Sequence, residues 1–356
     1  MSLNWGILGA GNIAGQFTRD LVKSNLTSSP QWKHRVVSVG SLDAARGAKF
    51  IEANGISGKG NDDVVAKVES YDDLYANPDV DVVYVATPHV FHKEQVIKAL
   101  EAGKHVLCEK PITVNEKDAA ELTQLAKEKG KFLMEGVWTR FFPAVQELKK
   151  LVFDQQAIGT VNRLFSDFAY NGDVADLPTL SRVRDIKLGA GSLLDIGIYS
   201  LTWARLLLDK QVGDKHTPFK VVLSLYLDPE DGVDHKAAFI VQYQNGGQGI
   251  LSSSELSDGP SPFARLEGSK GHIEIFAKNP AAPEKFVVHY RDGREPYVWE
   301  DKSGFQGFIY EANAVADDIK AGRLESLVMP HAETLLVMKT MDEIRKALGL
   351  KYPQDN

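Results

Sequence analysis

Three clusters in this chain combine residue types and spacing that can do chemistry. The first is Gly9-Ala10-Gly11-Asn12-Ile13-Ala14, which fits the pattern G-x-G-x-x-[GA]. In such a loop Gly9 permits a tight turn, Gly11 lets a pyrophosphate approach the backbone, and Ala14 allows close helix–strand packing. Asn12 and Ile13 open the following helix, whose free N–H groups and dipole favour a bound anion. The second cluster is Cys108-Glu109-Lys110-Pro111. An ammonium at Lys110 can donate to a ribose hydroxyl or ease ionisation of a neighbouring proton-transfer group, and Pro111 restricts Lys110 to extended backbone. The third is Gly189-Ala190-Gly191-Ser192, a flexible loop that enters a helix carrying Asp195 and Tyr199. Four residues apart, that pair shares one helix face. The same spacing also describes a capping aspartate and a core aromatic.

Two further stretches bear on which dinucleotide the loop accepts. An NAD protein usually ends its second strand on Asp or Glu, which binds the ribose hydroxyls. Here the strand ends Val39-Gly40-Ser41-Leu42, and the first acid, Asp43, is better used as a helix cap. Ser41 can donate to a 2′-phosphate and Arg46 lies one turn beyond, so NADP is expected as cofactor. Thr87-Pro88-His89 and His92 follow a long apolar run and lie at the carboxyl end of its strand, where ligands of such sheets sit.

The elements that must position these residues are legible in the first third. Strands are expected at Leu3–Leu8, Val36–Val39, Val80–Ala86, Lys104–Leu107 and Phe132–Glu135. Helices are expected at 13–23, 44–53, 92–102 and 115–129, with Gly103 and Gly130 ending the last two. Such alternation implies a parallel, doubly wound sheet. After Gly136 the pattern changes. Helical stretches at 143–152 and 195–208 precede strand-like runs at 220–227, 237–243, 249–254, 264–267, 271–276 and 285–290. Gln244–Gly247 and Gly268–Gly271 read as hairpin turns, and helices at 308–321 and 331–348 close the chain. The fold expected is α/β: a Rossmann domain over 1–136, then an α+β catalytic and dimerisation domain over 137–356 with an open, mostly antiparallel sheet.

Composition limits the partners. With 356 residues, more than one hydrophobic core is expected. The net charge of −7 argues against nucleic acid or an anionic membrane. No secretory pattern or membrane-spanning run is read, and the one cysteine, Cys108, reads as a buried strand residue. A cytoplasmic setting is expected, with no metal. A homodimer is expected through the second sheet, because an open sheet face needs a cover.

The segments GAGNIA, CEKP, MEGVWTRFFP and LLDIGIY resemble the glucose–fructose oxidoreductase/inositol dehydrogenase (Gfo/Idh/MocA) family over nearly the whole chain. Within it, the tyrosine at the end of DIGIY, where most of the family has His, narrows the likeness to the dihydrodiol and NADP-dependent D-xylose dehydrogenase branch. The resemblance implies an NADP-dependent oxidoreductase that removes a hydride and a proton from a hydroxyl of a small cyclic diol or aldose. Tyr199 is the implied proton-transfer residue, Asp195 an orienting group, and Lys110 the ribose contact that tunes the acid/base. Trp138 and Phe168 are implied pocket walls, and one of Arg182 and Arg184 a ligand contact. The cofactor set comprises Gly9, Gly11, Asn12, Ile13, Ser41, Leu42, Arg46, Thr87, Pro88, His89, His92, Glu109 and Lys110. Two alternatives stay open: a carbonyl or dicarbonyl reductase working in reverse, and a non-catalytic NADP-sensing regulator.

Overall fold

A computed structural model describes residues 2–355, which form two compact units. The first comprises the chain through Thr113, Lys117–Trp138 and Phe305–His331. Its elements are β1 (Ser2–Leu8), α1 (Asn12–Asn25), β2 (Lys33–Gly40), α2 (Ala44–Ala53), β3 (Lys67–Glu69), α3 (Tyr71–Ala76), β4 (Val82–Val85), α4 (His92–Glu101), β5 (His105–Glu109), α5 (Glu116–Lys129) and β6 (Leu133–Gly136). The strands form one parallel sheet in the order β3-β2-β1-β4-β5-β6. The reversal beside β1 makes the switch point at which such sheets bind ligands. Val82, Val83, Tyr84 and Val85 are all buried, which accounts for the unbroken apolar run: helices cover both faces.

The helix α8 (Phe308–Lys320) also belongs to this unit, although it follows the second sheet in sequence. Buried polar groups tie it down. The Asp20 carboxylate of α1 accepts the N–H groups of Gln306 and Gly307 at 2.9 and 2.8 Å, satisfying donors at the amino end of α8. Trp5 donates to Nδ1 of His34 at 3.1 Å, and Nε2 of that ring meets Asn313 Oδ1 at 3.0 Å. Burial lowers the His34 pKa to about 4, so the ring bridges β1, β2 and α8 as a neutral imidazole.

The second unit comprises Val114–Glu116, Thr139–Gly304 and the chain from Ala332 onward. It holds α6 (Pro143–Lys149), β7 (Val161–Ala169), α7 (Ile198–Leu207), β8 (Phe219–Tyr226), β9 (Lys236–Tyr243), β10 (Gln248–Ser254), β11 (Ala264–Gly268), β12 (Gly271–Phe276), β13 (Lys285–Tyr290), β14 (Tyr297–Glu300) and nearly all of α9 (His331–Ala347). The eight strands run β14-β13-β12-β11-β7-β10-β9-β8, antiparallel except for the β7–β10 pair. Alternation sends Leu164, Leu251, Phe239, Ile273 and Phe286 inward, and α7, buried along its whole length, packs on β7 and β10. Glu333 sits among buried cations, 2.6 Å from Arg140 Nη2 and 3.0 Å from Arg205 Nε. Burial alone would raise its pKa, but the two guanidiniums hold it down at about 2.

The sequence reading did not anticipate β3, α3 or β14, which are short, nor the full length of β7. Two expected helices also differ in kind. The stretch 143–152 becomes α6 followed by a π turn, Lys150–Asp154, and the stretch from Asp195 begins as a π turn, Leu193–Gly197, before α7.

Candidate active site

In the first unit the glycine loop leaves β1 and enters α1. Gly9 has φ +102°, and a Cβ there would lie 3.0 Å from Thr87 and 3.2 Å from the Ala86 carbonyl, so the turn itself requires glycine. Gly11 differs. Its backbone is extended, at φ −100° and ψ −178°, and a Cβ would meet nothing within 4 Å. The fold leaves this position open to other residues, so its bareness serves what approaches the loop. Gly11 is the N-cap of α1, with no side-chain capping bond and no acid in the first turn. Asn12 is exposed and Ile13 half-buried, while Ala14 is fully buried against the sheet. These features suit a dinucleotide pyrophosphate at the helix end.

At the end of β2, Asp43 accepts the N–H groups of Ala45 and Arg46 and so caps α2. Ser41 donates to the Asp43 carbonyl at 2.7 Å, and Leu42 is exposed. Arg46 turns back to the glycine loop, its Nε donating to the Ala10 carbonyl at 3.1 Å. The strand end therefore offers a hydroxyl and a guanidinium, with its nearest carboxylate occupied as a cap. Beyond β4, Thr87 Oγ1 donates to Gln95 at 2.5 Å, Pro88 leads into a short 3₁₀ turn, and His89 is buried. His92 lies between two loops: Nε2 meets the Thr87 carbonyl at 2.8 Å and Nδ1 the Pro111 carbonyl at 3.0 Å. Its ring braces the Thr87 loop against the Lys110 loop.

Glu109 ends β5, buried, and accepts a short hydrogen bond from Tyr84. Lys110 follows, half-buried, with a cis peptide to Pro111. Trp138 is buried with one indole face stacked on Phe308 of α8, centroids 4.1 Å apart and planes within 7°.

In the second unit, Tyr199 is the second residue of α7, buried, with its ring 5.6 Å from Phe168 of β7. Asp195 lies within the π turn, where bonds run i→i+5, and the N-cap positions of that turn and of α7 are Ser192 and Gly197. Asp195 thus occupies no cap position, and the capping alternative does not describe it. The two arginines separate clearly. Arg184 is buried, with its guanidinium on Asp231 at 2.8 Å, Glu230 at 2.7 Å and the Leu177 carbonyl at 3.0 Å. Arg182 is exposed, 3.5 Å from Asp195. Of the two, Arg182 is the one beside the Asp195 turn.

Comparison with known proteins agrees with this fold. Residues 3–137 match "Oxidoreductase family, NAD-binding Rossmann fold" and residues 145–274 match "GFO/IDH/MocA C-terminal domain". The chain belongs to the Gfo/Idh/MocA oxidoreductase family. It is 34% identical to trans-1,2-dihydrobenzene-1,2-diol dehydrogenase of Mus musculus, over 100% of this chain and 99% of that one. It is 32% identical to D-xylose 1-dehydrogenase (NADP(+)) of Hypocrea jecorina, over 99% and 94%. The crystal structure of aldose-aldose oxidoreductase from Caulobacter crescentus, complexed with glycerol, superposes with a TM-score of 0.77 at 26% identity, covering 98% of this chain and 97% of that one.

This Gfo/Idh/MocA member also holds residues that sequence reasoning missed. Asp234 supports the turn carrying Asp195: its carboxylate accepts the Leu193 N–H at 2.9 Å, and burial pushes its pKa up to about 7. A Cβ on Gly191 would lie 2.1 Å from Asp234, so the two positions constrain each other. Glu311 of α8 is fully buried, with neither oxygen hydrogen-bonded to any of the described residues. Burial, reinforced by the charge of Glu109, raises its pKa well above the usual carboxyl value, so it is held neutral. The signal was available: Glu311 stands on the apolar stripe of α8, three residues from Phe308 and four from Val315.

An acid whose pKa is raised by folding is harmless below its unfolded value and costs stability as pH rises above it. Glu311→Gln is therefore expected to gain thermal stability relative to the wild type at pH 8 compared with pH 5. The check is Tm for both proteins at both pH values, and an equal difference at the two would contradict a buried neutral acid.

Proposed function

We propose that this chain is an NADP-dependent dehydrogenase oxidising a hydroxyl of a small cyclic diol or an aldose. The observation that carries the cofactor choice is the end of β2, where Ser41 and Arg46 offer donors to a 2′-phosphate while Asp43 caps α2. Glycines 9 and 11 with Asn12 and Ile13 would hold the pyrophosphate at the amino end of α1, and Leu42 would be a further cofactor contact. Thr87, Pro88, His89 and Glu109 line the nicotinamide side, with His92 bracing two of those loops. The nicotinamide, when bound, supplies the chemistry of accepting or returning a hydride.

Lys110 donates to the ribose of that cofactor. Tyr199 takes the proton from the substrate hydroxyl. A free phenol, with a pKa of ~10, is a weak base at neutral pH, so this role requires cationic help. Asp195, positioned with Arg182, orients the substrate, and Trp138 and Phe168 offer flat faces to a ring. Arg184 contributes indirectly, by fixing the loop before the glycine turn. The full-length likeness to the mouse diol dehydrogenase and the fungal xylose dehydrogenase supports the substrate class. Because proton and hydride steps are reversible, the same residues serve carbonyl reduction.

The outer face of the second sheet carries a cross-strand apolar row, Val222–Ile240–Ile250–Phe165. Val222 is 65% exposed and Ile240, Ile250 and Phe165 are half-buried, so the row is a contiguous apolar strip of the kind that marks an interaction face. A second copy, packed face to face in the cytoplasm, is the proposed cover.

A panel of aldoses and diols, run with NADP and NAD in parallel, tests the catalytic reading. Higher kcat/KM with NADP is expected. Tyr199→Phe is expected to lose at least ~10²-fold in kcat while keeping NADPH affinity, and Lys110→Met to lose both. Near-normal turnover in the tyrosine variant, or a clear NAD preference, overturns the corresponding assignment. For the dimer, light scattering should give twice the chain mass, falling to one chain in Ile250→Asp; a monomeric wild type removes the proposal.

A further inference from the structure

We propose that His272, Glu274 and His289 form a surface site for a borderline divalent metal ion of the zinc class, on the outer face of the second sheet and separate from the proposed catalytic residues. His272 and His289 are a direct cross-strand pair of the antiparallel β12 and β13, and Glu274 is two residues beyond His272 on the same face. The two imidazoles stack, with centroids 4.5 Å apart and planes 14° from parallel. Both present Nε2 to the Glu274 carboxylate: His289 at 3.3 Å from one oxygen and His272 at 3.9 Å from the other. One ligand atom from each residue lies within 4.8 Å of the other two. Ions held at about 2.0–2.2 Å by N and O ligands need donor atoms about 3.3–3.5 Å apart, so small rotamer adjustments close the set.

Several features ready these groups for a cation. The Nε2 atom of His289, itself out of solvent, makes no hydrogen bond with any of the described residues. His272 and Glu274 lie on β12, which is paired on both sides by β11 and β13, and His289 is held in register against it, which fixes the spacing of the three residues. A polar recess of about 620 Å³, lined in part by His272, Gln242 and Gln248, lies beside the cluster.

The opposing charge is Arg265, whose Nη1 lies 3.0 Å from Glu274. Arg265 also bonds Glu267 through Nε at 3.1 Å, so it retains a carboxylate partner when Glu274 turns to an ion. Three protein ligands leave the remaining coordination to water, the open arrangement of an exchangeable rather than a closed structural site.

Titration of the intact protein with ZnCl₂ by calorimetry, with Co²⁺ absorption as a second probe of coordination, tests the proposal. One ion per chain is expected, with a rise in Tm that grows with Zn²⁺ concentration. His272→Ala and His289→Ala should each weaken binding by at least ~10-fold, whereas His216→Ala, on a different loop, should bind as the wild type does. NADPH affinity should be the same in all four proteins, which also confirms folding. Absence of saturable binding, or wild-type binding in the His272→Ala/His289→Ala double variant, overturns the site.

Discussion

The amino end of α1 is the constraint on which the account depends. A helix exposes about four unbonded N–H groups at its start. Some helices here answer them with a side-chain cap, as Ser70 does for α3 and Asp43 for α2. On α1 the cap residue is Gly11, which has no side chain, and no acid occupies the first turn. The donors and the positive end of the dipole are thereby open to the anion that the proposed cofactor would bring. Around this end, Gly9 turns the chain because nothing larger fits, and Arg46 reaches over from α2 to the loop carbonyl. The anion site is built from backbone and one guanidinium, in a chain whose overall charge is negative.

Buried polar groups set the rest of the first unit around that helix. Asp20, one helical face away from the loop, holds the start of α8, and α8 brings Phe308 beneath Trp138 and Glu311 towards Glu109. The arrangement carries a cost, since burial beside Glu109 disfavours ionisation of Glu311. In the second unit two clusters are instead compensated: Glu333 is shared by two arginines, and Arg184 is clamped by Asp231 and Glu230. That clamp, with Asp234 beneath Gly191, fixes the two ends of the loop that leads into the Asp195 turn.

Much of this was legible in the residues, and the misses have physical causes. Both-face burial makes β4 an unbroken apolar run, and Gly103 and Gly130 mark helix ends with positive φ as expected. The three-residue β3 and the exposed edge strand β14 carry too little periodicity to be seen. A π turn has nearly the same apolar spacing as an α turn, so 193–197 read as ordinary helix. Periodicity also does not reveal which core a helix joins, and α8 packs with the first unit across a long sequence separation. Arg182 and Arg184 are indistinguishable by spacing; the partner that separates them, Asp231, is 47 residues downstream. The zinc-class cluster was invisible for a similar reason, because the register of β12 against β13 is what pairs His272 with His289.

The most direct measurement is NADPH binding to Gly11→Val by calorimetry, alongside thermal unfolding. Extended backbone and open space at residue 11 allow the valine without strain, so Tm should stay at the wild-type value. A side chain there blocks the close approach of a pyrophosphate, and affinity should fall by at least ~10-fold. Undiminished NADPH affinity in a folded variant would contradict the claim that the amino end of α1 holds the cofactor.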